Sequence, residues 1–326
     1  LPEFTHHPLT LLVPSLPGPW LEPLRAAVGI VLGLAVTAAA GRPVLAGGVV
    51  ERVARSGELV LVGPPGLPPL LSREGQGPPQ GYGVLVAERI AAALAEAVGR
   101  PVALRFQPEP DLAATGARVV AGTADLACGV PFSWEADMTA DFSLPIGVSG
   151  LKLLAPAGGL DGNPAGLAGR RLAVVRGSLA ASELQGFQPR AVPVPVTTLR
   201  EGLEALQAGT VEGVIGDATL LAALASAAGA ADLRLVPEVP YESYAVACLL
   251  PENDSAFRNL VDLAIARLLQ GYVDGRPEDV AAVDRWIGPG SAADLPQTLL
   301  RDQFQALLMG REAIRPLPPA AAKPAD

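Results

Sequence analysis

The stretch Leu172-Ala173-Val174-Val175-Arg176-Gly177-Ser178, together with Val211-Glu212-Gly213-Val214-Ile215-Gly216-Asp217 further along the chain, decides the fold. Leu172–Val175 is a short apolar, β-branched run that predicts a strand, and Gly177-Ser178 opens a helix. Leu199–Ala208 reads as another helix, which Gly209 stops, and Val211–Ile215 as the next strand, ending at Gly216-Asp217. The first half has the same plan. Glu58–Gly63 predicts a strand closed by Pro64-Pro65. From Val84 to Val98 the apolar positions Val84, Ile90, Ala91, Leu94 and Val98 recur at helical spacing, before Gly99 and Pro101. Val102–Phe106 is a second strand, a helix runs towards Val119-Val120-Ala121-Gly122, and Asp125–Gly129 is a third strand. Strands separated by helices imply parallel sheets with helices on both faces, and such sheets bind ligands at the carboxyl ends of their strands.

Composition supports a folded chain. Half of the 326 residues are hydrophobic and 17% are charged, so burial can offset the entropy of ordering. The net charge of −9 argues against a nucleic-acid partner, because a polyanion needs a basic face.

Arg25, the apolar run Ala26–Ala40 and Gly41-Arg42-Pro43-Val44-Leu45-Ala46 have the layout of a secretory signal, with Ala46 the last residue removed. Residues 1–19 read as an upstream extension. A retained anchor is the alternative, but Arg42 and Pro43 interrupt a run shorter than the ~20 residues a span needs. No cysteine stands after the run to carry a lipid. The expected product is periplasmic or secreted. His6 and His7 lie in the removed part, so the mature chain has no imidazole. That excludes Ser-His-Asp and Cys-His catalysis and any histidine-based metal site; no cofactor and no metal are expected. Cys128 and Cys248 form one disulfide or stay as two buried, small apolar residues.

A series of motifs carries a family resemblance. Gly57–Gly63, Gly81-Tyr82-Gly83-Val84, Ala121-Gly122-Thr123-Ala124-Asp125-Leu126 and Asp141-Phe142-Ser143-Leu144-Pro145 come first. Leu167–Val174, Arg176-Gly177-Ser178, Gly209–Asp217 and Arg285-Trp286-Ile287-Gly288 come after them. In this order, over about residues 55 to 288, the set resembles family 3 of the extracellular solute-binding proteins, periplasmic receptors that feed amino-acid transporters. The resemblance implies the α/β type II periplasmic binding fold: two lobes, each a mostly parallel sheet flanked by helices, joined by a two-strand hinge. The expected lobes are residues 48–150 with 243–315, and 151–242. It further implies a small-molecule ligand, amino-acid-like or less polar, and a monomer served by an ABC permease or a peptide partner.

The ligand-binding residues are where the chain departs from that family. The position matching the family's carboxylate-binding arginine is Ala136, and the hydroxyl residue five positions earlier is Pro131. A planar guanidinium makes two charge-assisted bonds to a carboxylate, and alanine makes none. The first-strand loop, Pro64-Pro65-Gly66-Leu67-Pro68-Pro69-Leu70, is apolar where the family has an acidic residue and an aromatic. The second lobe keeps more. Gly177 and Ser178 can offer backbone N–H groups to an anion, and Asp217 matches the carboxylate that meets a ligand ammonium. Asp217 can equally cap the next helix. Trp134 either stacks on a ligand or fills the space left by the arginine, and Gly129 closes its strand at the cleft. Arg73 and Arg176 either replace the missing guanidinium or lie in solvent. Tyr82 and Trp286 are assigned to the core, and Glu135 to a solvated turn.

No phosphate loop or dinucleotide fingerprint is present, so binding without turnover is expected. Cyclohexadienyl dehydratases resemble the same family, and an enzyme of that kind would need a buried acid, with Glu135 or Asp217 the candidates. A degenerate interaction or sensory module is a third reading. After Gly288, Asp294 and Pro296 start a helix with Leu299, Leu300, Phe304, Leu307 and Leu308 on one face, predicted to dock on the first lobe. Residues 316–326 read as a disordered tail. The added helix and the missing arginine are similar to orphan receptor-like proteins of cyanobacteria, encoded apart from a transporter.

Overall fold

The computed structural model describes residues 48–312; the expected signal segment and tail lie outside the described residues. Helix α1 (Val49–Ser56) leads into β1 (Glu58–Gly63), whose last five residues are all buried. A small hairpin, β2 (Gly66–Leu67) and β3 (Leu71–Ser72), precedes α2 (Tyr82–Val98). Val84, Val86, Ile90 and Leu94 of α2 are buried, each stabilising by roughly 1.5–3 kcal/mol against exposure. β4 (Ala103–Pro108) pairs in parallel with β1. α3 (Leu112–Val120) starts at Asp111, whose carboxylate accepts the Ala114 N–H, and β5 (Ala127–Pro131) comes next. The buried Asp125 ties this region together: its carboxylate accepts the Val60 N–H at 2.6 Å and pairs with Arg52.

After the short α4 (Trp134–Asp137) and β6 (Asp141–Phe142) comes the long β7 (Gly147–Pro156). The second unit is β8 (Arg171–Val175), α5 (Leu179–Phe187), β9 (Val192–Val196), α6 (Leu199–Gln207), β10 (Gly213–Asp217), α7 (Ala218–Ala227) and β11 (Leu233–Val236). β10, β8 and β9 are parallel neighbours. The chain returns through β12 (Ser243–Leu250) to α8 (Ser255–Val273), α9 (Pro277–Asp284) and α10 (Gln297–Glu312).

Two strands cross between the units. Residues 147–150 of β7 pair antiparallel with β12, and residues 151–156 pair with β10 and β11. The pairing order therefore runs β5-β12-β7-β10-β8-β9 without a break, so the two ladders share β7 instead of standing apart. Cys128 of β5 faces Cys248 of β12 in register, and a disulfide joins them with Cα atoms 4.0 Å apart.

β5 and β10 each begin two residues later than the apolar pattern predicts. The cause is the same at both places. Gly122 and Gly209 adopt left-handed conformations, and the Thr123 and Thr210 N–H groups reach back to Arg118 O and Ala205 O. The residues after each glycine are thereby used to finish the helix turn rather than to start a strand.

α10 packs along α8 and reaches β7. Leu300 and Phe304 are buried, and the Phe304 ring meets Tyr272 edge-on at 5.2 Å. Leu299, assigned by periodicity to the docked face, is exposed instead: that face is centred on Leu300 and Phe304, and Leu299 lies a helical step away from it.

Candidate functional site

A small, partly open hollow lies where the carboxyl end of β10 meets the crossing strands. Leu70 and Tyr82 form one side of it, and Ile146–Ser149 with Val246 form the crossing-strand side. Asp217 and Thr219 come from the β10–α7 junction. Ile287 and Leu295 join Leu300, Gln303 and Phe304 of α10 to complete the lining.

Local structure explains the apolar side. The Pro64–Leu70 loop folds over the start of α2, so that the Tyr82 and Gly83 N–H groups donate to Pro69 O and Leu70 O, both at 2.8 Å. Gly81 permits this approach: its φ is +133°, and a Cβ there would run into the Leu70 carbonyl. The loop thus uses helix-start donors that could otherwise serve an anion. Tyr82 is buried, and its hydroxyl donates to Ile146 O at 2.8 Å.

The polar side is built on Asp217. It is the N-cap of α7, accepting the Leu220 N–H at 3.0 Å, and its other oxygen accepts the Tyr244 hydroxyl at 2.7 Å. Ser149 and Thr219 hydroxyls lie 3.3 Å apart beside it. Burial pushes the Asp217 carboxyl above the ordinary aspartate range, and the bonds from Tyr244 and Leu220 pull it partly back. Among the described residues, Asp217 takes part in none of the ion pairs within 4.0 Å. Burial and the Asp217 charge together raise the Tyr244 hydroxyl far above its usual range. Among the described residues, Asp217 is the one charged member of the lining. A carboxylate set in an apolar enclosure without a cation favours a positively charged occupant.

The other sequence candidates are distributed around it. Ser178 is the N-cap residue of α5, but its hydroxyl donates back to Val175 O at 2.7 Å. Gly177 has φ +68°, and a Cβ there would lie 3.9 Å from Ala113 Cβ in α3, so the start of α5 abuts the first unit. Because β8 and β10 are parallel neighbours, Gly177-Ser178 and Asp217 share one sheet edge. Arg176 is exposed and bonds Thr197 Oγ1 at 3.0 Å. Arg73 is held by its own loop through Gly77 O at 2.9 Å, with its guanidinium over the Phe106 ring. Gly129 lies against Leu70, where a Cβ would come within 3.1 Å of Leu70 Cδ1. Trp134 is 77% exposed and meets Phe132 edge-on at 5.0 Å; Glu135 is exposed beside it. Among these candidates the structure brings Asp217 alone into the hollow.

Sequence reasoning missed Ser149, Thr219, Tyr244 and Gln303. Tyr244 and Ser149 face one another across β12 and β7, a register that the sequence alone does not show. Gln303 did leave a signal: it breaks the apolar series Leu300, Phe304, Leu307 at helical spacing.

No protein-family model matches the chain, and no curated protein matches it. Solved structures do. The solute receptor for L-cysteine of Neisseria gonorrhoeae is 19% identical, with a TM-score of 0.67 over 77% of this chain and 98% of the receptor. An ancestral amino-acid-binding protein, described as a precursor of cyclohexadienyl dehydratase, is 16% identical, with a TM-score of 0.63 over 74% of this chain and all of its own. An ancestral arginine-binding protein bound to arginine is 18% identical, with a TM-score of 0.62 over 71% and 99% of the two chains. The chain carries the two-lobe periplasmic binding protein fold, and β7 and β12 are its crossing strands.

Proposed function

We propose that the protein is an extracytoplasmic solute-binding receptor that closes its lobes on a small molecule bearing an ammonium group. One observation carries the reading: Asp217 stands without a cation in a hollow whose walls are otherwise mostly apolar. The fold comparisons support the receptor class, and the signal-like segment before Gly47 supports export. Delivery to an ABC permease, or service as an orphan receptor, are the two roles open to such a protein.

A free α-carboxylate fits poorly. Ala136 and Pro131 supply neither guanidinium nor hydroxyl, and Arg73 and Arg176 are engaged elsewhere. Two missing charge-assisted bonds at roughly 1.5–3 kcal/mol each correspond to about two to four orders of magnitude in affinity. A thermal-shift screen of the twenty amino acids, small amines and small amides tests this. Amines raise the melting temperature, and Asp217→Asn removes the rise. Tight binding of one free amino acid that survives both Arg73→Ala and Arg176→Ala contradicts the reading.

The raised Asp217 carboxyl favours one second reading, a dehydratase-like enzyme using it as the acid. Glu135 is exposed and outside the hollow, so no second carboxylate among the described residues assists it there. Incubation with prephenate or arogenate separates the two: the receptor reading predicts no aromatic product.

A further inference from the structure

The C-terminal helix places a group of a different kind in the lining that also holds Asp217. Leu300, Gln303 and Phe304 fall at i, i+3 and i+4, so α10 presents all three along one stripe, and all three line the hollow. Leu300 and Phe304 are buried and anchor the helix. Gln303 is half-buried, and its carboxamide makes no hydrogen bond among the described residues. The other neutral polar side chains of the lining have partners: Tyr82 donates to Ile146 O, the Ser149 and Thr219 hydroxyls meet each other, and Ser149 also bonds Asp217.

Gln303 therefore brings two N–H donors and one acceptor oxygen to the hollow, with no charge. A neutral carboxamide matches it reciprocally, its oxygen accepting one N–H while its own N–H donates to Gln303 Oε1. A carboxylate does not, because it lacks the donor and would share the hollow with the Asp217 charge. Resting on the ammonium reading of Asp217, we infer that the occupant is a small primary amine carrying a carboxamide. Asp217 receives the ammonium, and Gln303 reads the carboxamide. The helix Gln297–Glu312 is then a specificity element of the site as well as a buttress.

Isothermal titration of the full protein with propylamine, glycinamide and glycine tests this. Glycinamide is expected to bind at least about tenfold more tightly than propylamine, because the reciprocal pair adds two net hydrogen bonds. Gln303→Leu should abolish that preference by weakening glycinamide at least about tenfold while leaving propylamine within about twofold. Gln303→Met, close to glutamine in size, repeats the test with a different shape. Equal effects on both amines, no effect on either, or glycine binding as tightly as glycinamide overturn the inference. Asp217→Asn keeps the two claims apart. If it weakens both amines and the Gln303 variants weaken neither, the carboxamide inference fails alone. If it leaves both untouched, or no amine binds the parent protein, the ammonium reading fails and takes the inference with it.

Discussion

The two strand–helix units share their backbone devices and differ in what they leave at the strand ends. Both close a helix with a left-handed glycine and a threonine that bonds back into it, at Gly122-Thr123 and Gly209-Thr210. At the carboxyl ends, the first unit leaves the apolar Pro64–Leu70 loop and Pro131, where the second leaves Gly177, Ser178 and Asp217. Fold is carried by main-chain geometry and burial, which tolerate many side chains. Ligand chemistry is carried by a few strand-end residues, which do not. The first unit has become a wall, and the second keeps the charge.

Breaking the wall gives the largest effect. Phe304→Ala removes a buried ring against Tyr272 and should cost about 3–5 kcal/mol in a denaturant titration, with weaker amine binding as its companion. Replacing Cys128 and Cys248 together by alanine opens a link across 120 residues and should cost about 2–5 kcal/mol. A loss under about 1 kcal/mol would show that the β5–β12 ladder needs no covalent pin. Tyr244→Phe removes one hydrogen bond to Asp217 and should cost about 1 kcal/mol, while moving the Asp217 carboxyl further up.

Asp217→Asn sharpens the comparison through pH. Asparagine is as good a helix cap as aspartate, so the cap survives. Because burial raises the folded carboxyl above its ordinary value of 3.8, ionisation of Asp217 works against folding. The wild type should therefore gain stability relative to the variant as pH falls through the folded value towards 3.8 and below. Over the same fall its affinity for an amine should drop, since the carboxylate is being neutralised. Melting curves from neutral pH down to the ordinary aspartate range check the sign. The smallest effect is expected at Trp134→Ala, within about 0.5 kcal/mol, because the indole is largely exposed.

The strands β1, β5, β8 and β10 were legible as apolar runs, because most of their residues are withdrawn from solvent on both faces; β4, with exposed and half-buried positions only, was legible as a short run after Pro101. The starts of β5 and β10 were not, since the Thr123 and Thr210 turns consume residues that look like strand. The hinge at Gly150 came from the resemblance alone: β7 changes pairing partner after Gly150, and no local pattern records partners 60 to 99 residues away. Asp217 was visible because it ends a readable strand. Tyr244 and Ser149 were not, because their meeting depends on the antiparallel register of the crossing strands. Trp134 shows the converse, an aromatic in a suggestive loop that ends up exposed on Phe132.

Whether Asp217, the one carboxylate in the described lining of the hollow, anchors the ligand is tested most directly by titration calorimetry of propylamine against the wild type and Asp217→Asn. The account predicts saturable binding to the wild type at neutral pH, weakening as pH falls, and at least tenfold weaker binding to the variant, or about 1.4 kcal/mol. Equal affinity for the two proteins, or binding that is unchanged as Asp217 is protonated, would contradict it.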